Sequence, residues 1–179
     1  EPLRICNAYA LGGDFTEANA WQYLWHVQHD IPGLMTLLGG RDKFLAKLET
    51  LFALPSEVPG LPALDDVSGL LGQYAHGNEP SHHVAYLFAL AGKPERTQEL
   101  VRELTGEKFY SLKRDGVCGN EDGGQMSAWY LFSVLGFYPV DPSSGEYVLG
   151  APQASRVTLR VSREELESEV GVGERAKKF

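Results

Sequence analysis

Cysteine, methionine and positive charge are all scarce in this chain of 179 residues. Its two cysteines, Cys6 and Cys118, can pair or stay free, and they indicate little about redox compartment. Acidic residues outnumber basic ones, for a formal net charge of -8, which excludes the basic stripe of a nucleic-acid surface. No apolar run approaches the ~20 residues that a membrane span needs. Glu1-Pro2-Leu3-Arg4 lacks the basic start and long apolar run of a signal peptide, so an export signal would lie outside this sequence. The five histidines, His26, His29, His76, His82 and His83, match no H-E-x-x-H spacing, and no cysteine pair supports zinc. Ser81 has His82 beside it but no nucleophile-elbow sequence around it, which argues against a serine hydrolase.

What the chain does have is apolar content. At 43% hydrophobic and 11% aromatic, it can bury one sizeable core. Thr16 is placed to cap a helix that runs to about Val27, with Trp21, Leu24 and Trp25 as its stripe. That helix delivers His29 and Asp30 at its end, and Pro32-Gly33 is expected to break it. An amphipathic helix is predicted over 42–53, with Phe44, Leu45, Leu48, Leu51 and Phe52 inward. Residues 54–73, rich in proline and glycine, read as a long loop with one helical turn. Loops of that length in a compact domain are usually functional or disordered.

The stretch over 74–92 organises the rest. Glu79 stands where loop becomes helix, Pro80 suits the first turn, and Val84, Leu87, Phe88 and Ala91 mark one buried face. Gly92 is placed for a left-handed cap. A more polar helix follows over 94–104. The glycine-dense acidic loop over 115–124 then feeds a helix over 125–135 that is apolar nearly all round and so expected to be buried on most sides. Short strands are expected over 146–149 and 156–161. Alternating buried and polar-faced helices predict a mainly α domain, part of an α/α barrel with a few short C-terminal strands. Residues 1–161 form the expected partial barrel domain, and 162–179 a charged tail, frayed or disordered.

Gly77-Asn78-Glu79 and Gly119-Asn120-Glu121-Asp122 both set acids and an amide at helix N-termini. Three readings stand beside each other. Paired carboxylates across a cleft suit glycoside hydrolysis. Clustered oxygens suit a hard cation such as Ca²⁺. Helix caps that favour the dipole account for the same residues without any chemistry. Trp21, Trp25 and Trp129 are read chiefly as core, with a sugar-lining tryptophan as the sharper alternative.

Taken together, Ala18 to Tyr23 with His29-Asp30, then Gly77-Asn78-Glu79-Pro80-Ser81-His82-His83, then Gly119 to Tyr130, resemble the calcium-dependent α-mannosidases of glycoside hydrolase family 92. The resemblance continues through Leu135-Gly136-Phe137-Tyr138-Pro139-Val140 and covers roughly 14–161. It implies the later part of an (α/α)6 barrel that follows an N-terminal β-sandwich. It also implies an inverting exo-α-mannosidase that uses Ca²⁺ and releases mannose from α-mannoside glycans such as N-glycans. Glu79 matches the general acid. Asn120 and Glu121 match the calcium-binding region, and Asp122 and Gln125 the sugar bound over it. Trp21, His29, Asp30, His82 and His83 are assigned by resemblance to sugar contact. The family's general base lies in a segment that 162–179 does not resemble. That departure, with the absent β-sandwich, leaves a non-catalytic fragment that binds calcium or sugar as the alternative. The family also implies a secreted, periplasmic or cell-surface location.

Overall fold

The computed structural model describes residues 15–57 and 68–158. The first helix, α1 (Ala20–Tyr23), is shorter than expected and starts later. Asn19, not Thr16, caps it: the Asn19 side chain accepts from the Trp21 and Gln22 amides, and Gln22 reciprocates on the Asn19 amide at 2.7 Å. Both side chains also grip Gln73, so the cap doubles as a long-range tie. The chain then turns, and Trp25 is fully buried.

Pro32 and Gly33 open a helix where a break was expected. Asp30 caps α2 (Ile31–Leu37) through the Gly33 amide at 2.8 Å. Pro32 sits in the first turn, where no amide hydrogen is needed. A side chain at position 33 would meet the Asp30 carboxylate at 2.1 Å, so glycine admits the cap. Next comes α3 (Arg41–Ala53), which buries the five apolar residues expected of it. Arg41 at its start donates to the carbonyls of Ala91 and Gly92, fastening it to the end of the Glu79 segment. Of the expected long loop, 58–67 lie outside the described residues. The remainder contains a hairpin the periodicity did not reveal, β1 (Leu70–Leu71) paired antiparallel with β2 (Tyr74–Ala75).

The segment after Glu79 is not one helix. It consists of 3-10 turns at Glu79–Ser81 and Val84–Tyr86, then a single α-turn, α4 (Leu87–Leu90). The last of these breaks has its cause on the neighbouring helix, α5 (Pro94–Leu104), which forms as predicted. The buried Thr97 hydroxyl donates to Ala85 O at 2.9 Å and accepts from Ala89 N at 3.0 Å. It thus bridges two atoms that an unbroken α-helix would join directly, and side-chain insertion of this kind breaks the helical ladder.

Past the acidic loop, α6 (Gln125–Leu135) ends at left-handed Gly136. Its Met126, Trp129 and Ser133 are buried, but Leu131 is 60% exposed, so the expectation of burial on most sides fails among the described residues. The strand expected over 146–149 shrinks to β4 (Val148–Leu149), paired with an unexpected β3 (Phe137–Tyr138). Residues 156–158 form no strand, and 159–161 lie outside the described residues. One core runs through the helices, with Trp25, Phe44, Leu48, Phe88, Leu104 and Trp129 all fully buried. Each such side chain contributes roughly 1.5–3 kcal/mol by leaving water.

Candidate active site

The two Gly-Asn-Glu loops lie against each other. A Cβ on Gly119, whose φ is +71°, would come within 2.1 Å of the Gly77 carbonyl oxygen. Only glycine at that position permits the contact. Asn78, next in the first loop, donates to Glu17 O at 3.2 Å, and Glu17 itself holds a left-handed backbone with φ 55°. Strained backbone of this sort persists where its surroundings over-determine it.

Glu79 is half-buried at the first position of its 3-10 turn. Its Oε1 is shut off from solvent and meets no hydrogen-bond partner among the described residues. A buried carboxylate oxygen left unsatisfied is costly, which makes this atom the conspicuous chemical feature of the loop.

His82 and His83 point apart, as their adjacency requires, and both are buried. His82 donates from Nε2 to His76 O at 3.1 Å, and its Nδ1 accepts from the Gln125 amide at 3.0 Å. The same amide donates to the Tyr138 hydroxyl at 3.2 Å. His83 donates from Nε2 to Trp25 O at 2.7 Å, locking the Glu79 segment onto the turn after α1. Burial pushes each of these two imidazoles down to about 4, so both are neutral near pH 7. His82, which closes the 3-10 turn after the first loop, and Gln125, which opens α6 after the second, are therefore joined directly.

The remaining residues singled out from sequence are placed differently. Asp30 is exposed and serves as the α2 cap, and His29 beside it is also exposed. Trp21 is half-buried, with the Lys47 ammonium 3.9 Å above its ring. Asn120, Glu121 and Asp122 are all exposed. Both Glu121 oxygens are engaged, Oε1 by Ser127 N at 3.1 Å and Oε2 by the Ser127 hydroxyl at 2.6 Å. Glu121 thus serves the first turn of α6.

These loop oxygens are of the right kind for a hard cation, which takes six to eight oxygen ligands. The number falls short. No three His, Cys, Asp or Glu side chains gather to hold a metal among the described residues. Among the described residues, the acidic side chains alone do not make a calcium shell.

Sequence reading passed over the aromatic groups beneath the loops. Tyr138 holds Gln125, and its ring stacks on Tyr86 at 5.0 Å. His76, one residue before Gly77, is fully buried and bonded to Tyr74 and Tyr110. Its position at the head of the motif was the available signal. Tyr138 lies within the Leu135–Val140 motif, whereas Tyr110 carries no local signal, because long-range packing alone brings it there.

Comparison with known proteins agrees with the motifs. A family profile described as the glycosyl hydrolase family 92 catalytic domain matches residues 5–177. An uncharacterized secreted glycosidase of Arthroderma benhamiae is 28% identical over 156 residues, 87% of this chain and 18% of that protein. A family 92 alpha-mannosidase of Bacteroides thetaiotaomicron, solved in complex with mannoimidazole, is 40% identical with a TM-score of 0.75. The match covers 85% of this chain and 20% of that one. A solved family 92 glycosyl hydrolase at 20% identity and TM-score 0.67, covering 82% of this chain and 22% of its own, shares the fold. The chain spans about a fifth of the length of these relatives.

Proposed function

The chain belongs to glycosyl hydrolase family 92, and on that premise we propose that it carries the proton-donating part of an α-mannosidase active site. Its mainly α fold, with a few two-residue strands, is a segment of the family's (α/α)6 barrel. The proposed whole protein hydrolyses α-mannosides, including mannose of N-glycans, with inversion and with Ca²⁺. The proposal covers 1–161 as a partial catalytic domain, completed by the other catalytic segments and the β-sandwich of the full-length protein. A secreted, periplasmic or cell-surface location belongs to it too, in keeping with the description of the fungal relative.

The observation that carries this reading is Glu79: a carboxyl with one buried, unpartnered oxygen, held in a loop that touches the second Gly-Asn-Glu loop. In an inverting glycosidase one carboxyl protonates the leaving oxygen while a second activates water on the opposite face, ≈ 6.5–9.5 Å away. Glu79 takes the first role here, and the base comes from another segment. Gln125 has both amide hydrogens taken by His82 and Tyr138, so its carbonyl oxygen is the atom it offers to a sugar hydroxyl. His82 and His83, neutral and buried, fix the backbone on either side. Trp21, His29, Asp30 and Asp122 are proposed sugar contacts by resemblance. Asn120 and Glu121 are proposed as part of a calcium shell whose other oxygens come from substrate and other segments. Bound there, the ion would help distort the mannose ring toward the transition state.

The test uses the full-length protein with Glu79→Gln. Loss of a general acid costs about 10²–10⁴-fold. That loss is expected on a mannobiose, whose leaving alcohol needs a proton, and a much smaller one on an aryl mannoside with an acidic phenol. Equal slowing of both substrates in a folded variant refutes the role. β-Mannose as the first product, seen by proton NMR, tests inversion. Activity that survives a calcium chelator undiminished refutes calcium dependence.

A further inference from the structure

The network around His76 has no part in the chemistry above, yet it touches both loops. The His76 ring is fully buried, its centroid 4.2 Å from that of Trp129 and 5.0 Å from that of His82. Tyr110 donates its only hydroxyl hydrogen to Met126 O at 3.1 Å, in the first turn of α6. The Tyr110 oxygen can then only accept from His76 Nε2, 2.8 Å away. That places the ring proton on Nε2 and leaves Nδ1 to accept from the Tyr74 hydroxyl at 2.8 Å. The backbone carbonyl of the same residue accepts from His82. One residue therefore binds the strand before the first loop, the end of the 3-10 turn after that loop, and, through Tyr110, the helix after the second.

We propose that His76 is a positioning residue: it sets the separation of the two Gly-Asn-Glu loops and so the place of the Glu79 carboxyl relative to the Asn120-Glu121-Asp122 loop. This rests on the reading of Glu79 as proton donor. Burial, with the neighbouring His82 ring second, holds His76 well below the usual histidine range. The neutral tautomer that the geometry requires is thus the one present near pH 7. Every hydrogen-bonding atom of the ring is used, and a fully satisfied buried network is rigid. Rigidity matters because a displacement of about 1 Å at a reacting group can cost about 10²-fold in rate.

The experiment measures kcat and KM for a mannobiose and for an aryl mannoside in four full-length variants. His76→Phe keeps a ring but loses both side-chain bonds. Tyr110→Phe removes only the hydroxyl that joins His76 to Met126. Glu79→Gln is run alongside. The expected result is a fall in kcat of about 10- to 100-fold on mannobiose, with KM little changed and a smaller fall on the aryl mannoside. His76→Gln, which keeps a donor and an acceptor, is expected to recover part of the loss. A purely structural His76 lowers the melting temperature but leaves the ratio of the two rates at its wild-type value. That outcome in folded variants overturns the proposal, and Tyr110→Phe decides if His76→Phe does not fold. If Glu79→Gln leaves the ratio unchanged, the proton-donor reading fails and this proposal falls with it. If Glu79→Gln shifts the ratio and neither His76 nor Tyr110 variant does, only the positioning role is lost.

Discussion

Gly77 and Gly119 meet backbone to backbone: a Cβ added to Gly77 would stand 3.0 Å from Gly119 Cα, and one added to Gly119 2.5 Å from Gly77 Cα. The two similar loops are 42 positions apart, from Gly77 to Gly119, and this contact makes them one structural unit. It sets the backbone of the loop that carries Glu79 against the start of the acidic loop.

Gly119→Ala is therefore expected to be much worse than Gly123→Ala. Both positions have positive φ, +71° and +59°, but the space around Gly123 is open whereas Gly119 would strike Gly77 O at 2.1 Å. The backbone cost alone is about 1–2 kcal/mol, and the clash adds to it at Gly119 only. Thermal unfolding of the two variants makes the comparison. Equal losses would show that the loops can part without penalty.

Thr97→Val keeps the side-chain volume and removes the hydroxyl that bridges Ala85 O and Ala89 N. The buried Ala85 carbonyl and the part-buried Ala89 amide lose their partner, at about 1–3 kcal/mol for an unsatisfied buried group. Denaturant unfolding is expected to show that loss. An unchanged midpoint would mean that the segment closes into a regular helix once the hydroxyl is gone.

Acid is expected to destabilise the fold between about pH 6.5 and pH 4. Burial lowers His82 and His83 to about 4, and it lowers His26 and His76 as well. In this window the unfolded chain binds protons that the folded chain refuses, so unfolding free energy rises with pH and falls as pH drops. Below about pH 4 the contribution of His82 and His83 has been lost. His83→Gln, whose amide can still donate to Trp25 O, is expected to flatten the slope. A variant with the wild-type slope would remove His83 from the account.

Calcium and helix capping can be separated at Glu121. Ser127→Ala removes the hydroxyl bonded to Glu121 Oε2 and is expected to cost about 1 kcal/mol, as a lost cap does, while calcium affinity of the full-length protein is kept. Glu121→Ala is expected to lower both. Calcium titration by calorimetry distinguishes them, and equal affinity in wild type and Glu121→Ala would strike Glu121 from the ligand set.

Whatever depends on near neighbours in the chain was legible from the residues alone. The α3 and α5 helices were legible because their apolar residues recur at helical spacing, and α6 because Gly136 stops it. The paired Gly-Asn-Glu motifs were legible as strings, and so was the family resemblance that led to Glu79. Tertiary structure decided the rest. No local rule foretells that a threonine on the next helix will interrupt the Glu79 segment, or that Asn19 rather than Thr16 will cap α1 because Gln73 holds it there. Glu121 read equally well as cap or ligand, since both uses need an exposed acid at a helix start. Only the position of Ser127 shows which bonds its oxygens make. The network through His76, Tyr74 and Tyr110 lies furthest from sequence. Its bonds join residues as far as 34 positions apart, and their geometry exists only once the core has brought the hairpin, the loops and α6 together.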